Sequence, residues 1–452
     1  MTINEKVLEI YKDYYICPHC LGRMFSLYAT NTTNLERGNS ILLTLTMQLH
    51  ENYLSFNEKN SDNVKHLRLL AEKAQYIPAI KVLEKEGLTF NNDKSKLSCF
   101  LCNDIFSDLE TYSLEAINTL KNYEYESFLV GTNLNGKIIN KEDEFKVKFH
   151  ILGAESFKNH FNRELGKLLS TKISKSTEFA NPDITIIFSL SFDSFSINLV
   201  IRSLFIYGRY NKLIRGIPQT HWDCRRCKGA GCEICSHTGK QYQTSVEELI
   251  IPEFIKASKS IGVKFHGAGR EDIDVRMLGK GRPFILELQD PLLRKLNLES
   301  LEKRVNKITR KKVKINDLEF SNKNQVISIK NNAENTKKLY KALVQSENKI
   351  TKSQFNLFLI LLKDQLVGKK LSQRTPERVS HRRADKVRQK FIYELNGSYL
   401  KSDLFEFTIK TQGGTYIKEL INGDKGRTTN SFTELFGTPL ICKELDVLHI
   451  DI

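Results

Sequence analysis

Eight of the nine cysteines in this chain of 452 residues stand in four Cys-x-x-Cys pairs, and no other feature of the sequence limits its folding so sharply. A Cys-x-x-Cys turn points two sulfurs at one spot, so two such turns fill the four tetrahedral positions of a structural metal ion and leave none open for catalysis. The first set is Cys17 and Cys20 around Pro-His, with Cys99 and Cys102 around Phe-Leu, and 78 residues separate the pairs. The second set, Cys224, Cys227, Cys232 and Cys235, lies within CRRCKGAGCEIC, where Gly229 and Gly231 allow a tight reversal between the turns. Structural zinc, one or two ions, is the expected cofactor. His19 and His237 stand beside cysteines but read as packed or solvated side chains, and the unpaired Cys442 reads as a core residue. Disulfides are the competing use of cysteine. The start MTINEKVLEIYKDYY has acidic residues among its apolar ones and lacks the basic start, apolar stretch and cleavage site of a secretory signal. Metal in a reducing, cytoplasmic setting is therefore the expectation.

Length sets the next bound. At 452 residues the chain exceeds what one core usually serves, which suggests two to three domains. The 69 Lys and Arg outnumber the 53 Asp and Glu, a net charge of +16, and such a surface attracts polyanions through counterion release. Nucleic acid is the leading partner class, although a generically basic protein shares this charge. No run of about 18 apolar residues is present, so neither a membrane span nor a membrane partner is expected, and nothing points to an obligate protein partner.

The patterning reads as α+β in both halves. FKNHFNRELGKLLSTKI sets Phe157, Phe161, Leu165, Leu168 and Leu169 at helical spacing, whereas 184 to 201 reads as two strands joined by a tight turn. Ser245-x-x-Glu248 predicts a capping box opening a helix. Strands are predicted at 283 to 288, near 325 to 329 and at 404 to 410, and the Lys- and Asn-rich stretch 302 to 338 reads as a charged, partly exposed connector.

Residues 267 to 284, GAGREDIDVRMLGKGRPF, bring three carboxylates, three arginines and four glycines together. A charged surface loop has this composition; so does an active-site loop in which glycines permit close approach and arginines hold phosphates beside an acid. A glycine-rich nucleotide cradle fits less well, because Gly267-x-Gly269 lacks the third glycine and the Lys-Ser/Thr that should follow.

The string GREDIDVRMLGKGRPF resembles the signature loop of pseudouridine synthases, in the branch that modifies the TΨC arm of archaeal tRNA. The resemblance extends through SLFIYGRYNKLIRGIPQT (203 to 220), the cysteine knuckle with TGK (238 to 240), SVEELI (245 to 250), QRTPERVSHRRADKVR (373 to 388) and TQGGTYIKELINGDKGRT (411 to 428). It covers roughly the last 250 residues, while the first half is similar in its cysteine pairs and in a segment like a THUMP module, a tRNA-binding domain.

The resemblance implies a zinc-binding, THUMP-like accessory domain over 1 to 200, its THUMP-like part about 60 to 190. A catalytic domain over 201 to 452 follows, with the knuckle at 224 to 235 and a mixed, mainly antiparallel sheet flanked by helices. By motif, Asp272 is the expected catalytic carboxylate, with Asp274 as competitor if the loop register shifts. Tyr340 in LYKAL matches the tyrosine that stacks on the target uracil, and Lys418 in Gly-Thr-Tyr-Ile-Lys the basic residue paired with the aspartate. Ile417 closes over the base, and Leu445 matches the apolar residue of the last motif. Arg270 and Arg427 are expected at the substrate or holding its loops. The basic run Arg378 to Arg388, with Arg382 and Arg383 in it, reads as contacts to RNA phosphates or as a solvated face.

The implied activity is isomerisation of uridine to pseudouridine at tRNA positions 54 and 55, without an organic cofactor. Two other classes compete: a silent, zinc-containing tRNA-binding protein, and a THUMP-bearing enzyme of other chemistry. The first is opposed by the intact set of Gly-Arg-Glu-Asp, Tyr340 and Gly-Thr-Tyr-Ile-Lys. The second needs an Asn/Asp-Pro-Pro-Tyr run or a Ser-Gly-Gly-x-Asp-Ser loop, and the sequence has neither.

Overall fold

Alternating burial builds the first sheet. In the computed structural model, which describes residues 1–56, 61–91, 97–331 and 336–451, the chain divides into two units, Met1–Arg202 and Ser203–Ile452. The first unit carries β1 (Ser127–Leu134), β2 (Ser176–Thr177), β3 (Ile184–Leu190) and β4 (Phe195–Ile201), in the order β2-β1-β3-β4. Ile184, Ile186, Phe188 and Leu190 of β3 are buried while the residues between them are only half-buried, as period-two geometry requires. Strand β1 runs parallel to β2 and β3, and β3 turns back antiparallel into β4 through Ser191 and Ser194. The helix Phe157–Ile173, capped by the Ser156 hydroxyl, buries Phe157, Phe161, Leu165 and Leu169 in the same core, with Leu168 at its margin. Among the described residues six further α-helices, from Ile3–Asp13 to Leu109–Leu120 through Pro18–Met24, Asn34–Phe56, Asp62–Glu72 and Ile77–Lys85, precede β1.

The second unit is organised by one mixed sheet. Its strands are β5 (Leu204–Lys212), β6 (Gly262–Gly267), β7 (Val275–Gln289), β8 (Val313–Ser321), β9 (Lys337–Ser346), β10 (Lys370–Arg374), β11 (Val387–Lys401), β12 (Leu404–Gln412) and β13 (Leu440–Asp451). The order is β10-β11-β12-β9-β13-β7-β5-β8, with β6 paired to β7. Only β13 against β7 is parallel among the described pairings. The central strands are dry: Phe284, Leu286 and Leu288 of β7 and Ala342 and Val344 of β9 are fully buried. Helices Val246–Ser258, Leu298–Ile308, Lys352–Leu366 and Ile417–Asn422 bury Phe254, Leu301, Phe355 and Leu420 in that core.

Two expectations are corrected. Residues 325 to 329 are not a strand but part of the helix Lys323–Asn331. Their β-branched residues suggested a strand, yet Val326 and Ile329, three apart, pack beside Ala268 and Ile285 while Ile327 is exposed, a helical division of faces. The described part of 302 to 338, which leaves out 332–335, is likewise no connector, since it holds most of the helix Leu298–Ile308, all of β8 and that second helix. Its lysines, except the buried Lys338, lie outside a buried stripe of Val305, Val313 and Ile315. At Ser245 the hydroxyl accepts the Glu248 amide at 3.2 Å as expected, but Glu248 returns its bond to the hydroxyl rather than to the backbone. No described helix is long and apolar enough to cross a membrane.

Candidate active site

The loop between β6 and β7 is held from below by a buried polar network. Gly269 turns it at φ 77°, where a Cβ would lie 3.2 Å from the Arg282 guanidinium, so only glycine serves there. Glu271 points inward, shares the one Tyr210 hydroxyl donor between its two oxygens, 2.8 Å from each, and pairs with Arg282 at 2.7 Å. Gln219 donates to that hydroxyl at 2.8 Å and to the Gly269 carbonyl at 3.0 Å. Lys212, wholly buried at the end of β5, donates to the carbonyls of Ile217, Asp272 and Ile273 at 2.9, 3.0 and 3.1 Å. Burial pulls the Lys212 ammonium down to about 8. These contacts leave the Asp272 backbone little freedom, so its side chain projects from a rigid base.

The Asp272 carboxylate is a third exposed and meets Arg378 through both oxygens, at 3.0 Å each. Arg378 in turn donates through Nε to the buried Glu419 at 2.6 Å, bracing residues 377 to 382 against the helix Ile417–Asn422. Lys418 lies 3.8 Å from Asp272 but only 2.6 Å from Asp274. The expected pairing of Lys418 with Asp272 is thus the longer of its two contacts, and an arginine takes the nearer place. Burial pushes the Asp274 carboxyl up, but the Lys418 ammonium outweighs this and holds it below its usual range. Arg215 joins the loop to β13 by donating to the carbonyls of Asp274 and Leu445 at 2.9 and 2.7 Å.

A cavity of about 160 Å³ opens beside Asp272 and collects most of the residues singled out from the sequence: Arg270, Asp272, Tyr340, Arg378, Arg383, Ile417, Lys418 and Leu445. Tyr340 comes from β9, Leu445 from β13 and Ile417 from the first turn of its helix. Tyr340 is buried, and burial pushes its hydroxyl up to about 12, with Arg282 opposing and Asp272 adding to the shift, so it stays neutral. Arg270 lies over the Trp222 ring at 4.8 Å, and Arg383 donates to the Tyr416 hydroxyl at 3.0 Å. Arg427 stands apart: it donates to the Thr375 carbonyl and to Asp385 at 2.7 Å each, and so holds the segment that carries Arg378. The side chain of Arg382 lies outside the described residues.

Each cysteine set closes on one point. All four sulfurs of Cys17, Cys20, Cys99 and Cys102 lie within 4.8 Å of one another in the first core, as do those of Cys224, Cys227, Cys232 and Cys235 in the second unit. The shorter separations run from 3.7 to 3.9 Å. A tetrahedral ion with metal–sulfur bonds of about 2.3 Å sets its sulfurs ~3.8 Å apart, so both sets fit one ion each. Amides of Gly231 and Gly239 donate to Cys227 and Cys235 at 3.2 and 3.3 Å, as they would to thiolates. Neither histidine joins a set: His19 stacks on Phe106. Cys442 is partly buried beside the second core.

Four residues of this site were not singled out from the sequence: Lys212, Glu271, Arg282 and Lys338. Glu271 and Arg282 lie inside the glycine-rich run but read there as ordinary loop charges. Lys338 had a usable signal, since it precedes Tyr340 by two and so shares its face of a strand. It is buried in the cavity wall, and burial, aided by Arg282, pulls its ammonium down to about 7.

Residues 205–451 match the family model described as Pus10, C-terminal, and residues 112–189 the one described as Pus10 THUMP domain, archaeal. A protein of Methanocaldococcus jannaschii named tRNA pseudouridine synthase Pus10 is 40% identical over 98% of this chain and 93% of its own. One of the same name from Methanothermobacter marburgensis is 37% identical over 100% of this chain and 99% of its own. Among solved structures, a Cbf5-Nop10-Gar1 complex is similar at 16% identity and a TM-score of 0.28 over 45% of each chain, too slight to bear on the argument. Fold and site define a two-unit pseudouridine synthase carrying a THUMP module. The chain belongs to the Pus10 family.

Proposed function

We propose that this chain isomerises uridine to pseudouridine in tRNA, in the TΨC arm at positions 54 and 55, with Asp272 as the reacting carboxylate. One observation carries the reading: Asp272 stands at the wall of a cavity that is also lined by the buried Tyr340, by aliphatic side chains including Ile417 and Leu445, and by arginines. The relatives from Methanocaldococcus jannaschii and Methanothermobacter marburgensis, each named a tRNA pseudouridine synthase, support tRNA as the substrate. The excess of 69 basic over 53 acidic residues suits a polyanion.

The reaction breaks the bond from ribose C1′ to uracil N1, turns the freed base and joins C1′ to C5, whose hydrogen leaves to water. Oxidation state is unchanged overall, so no organic cofactor is needed. The enzyme must keep a carboxylate at the ribose and base and retain the detached uracil. In this reading Asp272, aimed by Lys212 beneath and Arg378 beside it, is that carboxylate. The swung-out base lies against the Tyr340 ring, with Ile417 and Leu445 closing the pocket, since an unpaired base gains by stacking. The zinc ions we assign to the two cysteine sets are structural, because four sulfurs leave no open position. The first unit, with its cysteine set and THUMP module, would serve as the tRNA-binding accessory domain and the second as the catalytic domain.

The test is release of tritium from uracil C5 of unmodified tRNA transcript by the purified chain, with no cofactor added. Wild type should release it and Asp272→Ala should not. Equal release from both would remove Asp272 from its role, and no release from either would overturn the activity.

A further inference from the structure

A second cavity, of about 180 Å³, adjoins the first. The two share Arg270, Glu271, Asp272, Arg378 and Lys418, and the second adds Pro218, Trp222, Ile273 and Asp274. One wall therefore serves both spaces. Trp222 is the only tryptophan of the chain, and it is set in place by the base of the cysteine knuckle. Its carbonyl accepts the Gln241 amide at 2.9 Å, Cys224 bonds Gly239 at 2.7 Å, and Asp223 bridges antiparallel to Lys240. Tyr242 meets the indole edge-on at 5.6 Å. The knuckle thus carries an aromatic ring to the loop that bears Asp272.

We infer that this second cavity takes the nucleobase adjoining the target uridine, packed against Trp222 and Pro218. The inference rests on the proposed RNA substrate. If the target uracil fills the first cavity, its chain neighbour is one phosphate away and must leave along the shared wall. An indole is the broadest stacking surface a side chain offers, and stacking needs no particular base. The acids of that wall do not repel the strand, because Asp272 is bound to Arg378 and Asp274 to Lys418. Arg270, over the indole and common to both cavities, adds positive charge at the step between the two nucleotides.

A lone tryptophan makes the test direct. The full chain is titrated with unmodified tRNA transcript while indole fluorescence is followed, and again with transcripts lacking the base on the 5′ or the 3′ side of the target. Tritium release is measured on each. The inference expects intact tRNA to quench the emission and one of the two abasic transcripts to fail to do so. That abasic transcript should also bind more weakly, by roughly 5- to 150-fold, the size of one stacked base. Trp222→Ala, assayed by filter binding, should lose the same factor with intact tRNA and nothing more with that abasic transcript, while Trp222→Phe keeps most of the affinity. Quenching and affinity indifferent to both missing bases would overturn the inference, even if Trp222→Ala proved unstable. Loss of tritium release and binding with intact tRNA would instead overturn the proposed function beneath it.

Discussion

Arg378 grips both oxygens of Asp272 at 3.0 Å, although 106 residues separate them in the chain. Lys418, the cation expected there, spends its closest contact on Asp274 at 2.6 Å. Arg378→Ala should therefore slow single-turnover tritium release by about 100-fold, the usual cost of misplacing a reacting group by an ångström or so. Arg378→Lys should recover little, because one ammonium cannot bridge Asp272 and Glu419 as a planar guanidinium does. Asp274→Ala, which frees Lys418 to turn to Asp272, should cost less than Arg378→Ala; the reverse ranking would refute this division of labour.

Tyr340 offers a ring rather than a proton. Its hydroxyl, pushed up to about 12 by burial, does not titrate near neutrality. Tyr340→Phe should stay within about tenfold of wild type with an unshifted pH profile, whereas Tyr340→Ala should lose a base stack worth about 1–3 kcal/mol. A Phe variant as poor as the Ala variant would show that the hydroxyl matters.

Lys338 carries a pH signature in stability. Its folded value, about 7, lies below the ordinary lysine value near 10.4. Between the two the unfolded chain holds the extra proton, so this lysine makes stability rise with pH across that window. Denaturant midpoints at pH 7 and pH 9 should show wild type gaining about 2 kcal/mol more than Lys338→Met over that interval. Parallel gains in both proteins would mean that Lys338 is not a charge forced into a dry wall.

The metal sites should differ in access. The first cysteine set is wholly buried, and three of the second four are only half-buried. Purified protein should carry two zinc ions per chain by elemental analysis, and a chelator should strip the knuckle ion well before the other. Cys227→Ser should lose one ion, with tRNA affinity falling more than the rate of the bound complex. Cys17→Ser should lose the other and destabilise the first unit by several kcal/mol. A folded preparation with both cysteine sets reduced and intact but no metal would contradict the assignment.

Much of this was legible in the sequence because it is local. Cys-x-x-Cys spacing, the helix from Phe157 and the alternation of β3 each depend on near neighbours, and the loop around Asp272 is one continuous string. The helix at 323–331 was misread for the opposite reason: its β-branched residues favour a strand, and only contact with Ala268 and Ile285 settles which face is buried.

By itself the sequence determined the cysteine sets, the residue types of the loop and their resemblance to a family. Tertiary structure alone decided the partners: that Arg378 rather than Lys418 grips Asp272, that Arg427 is spent on Thr375 and Asp385, and that Lys212 and Lys338 are buried cations. A charged side chain reads the same in a sequence whether it ends in water or beneath a sheet. Its partner and its exposure come into being only when strands distant in the chain are brought side by side, as β5, β7 and β13 are here.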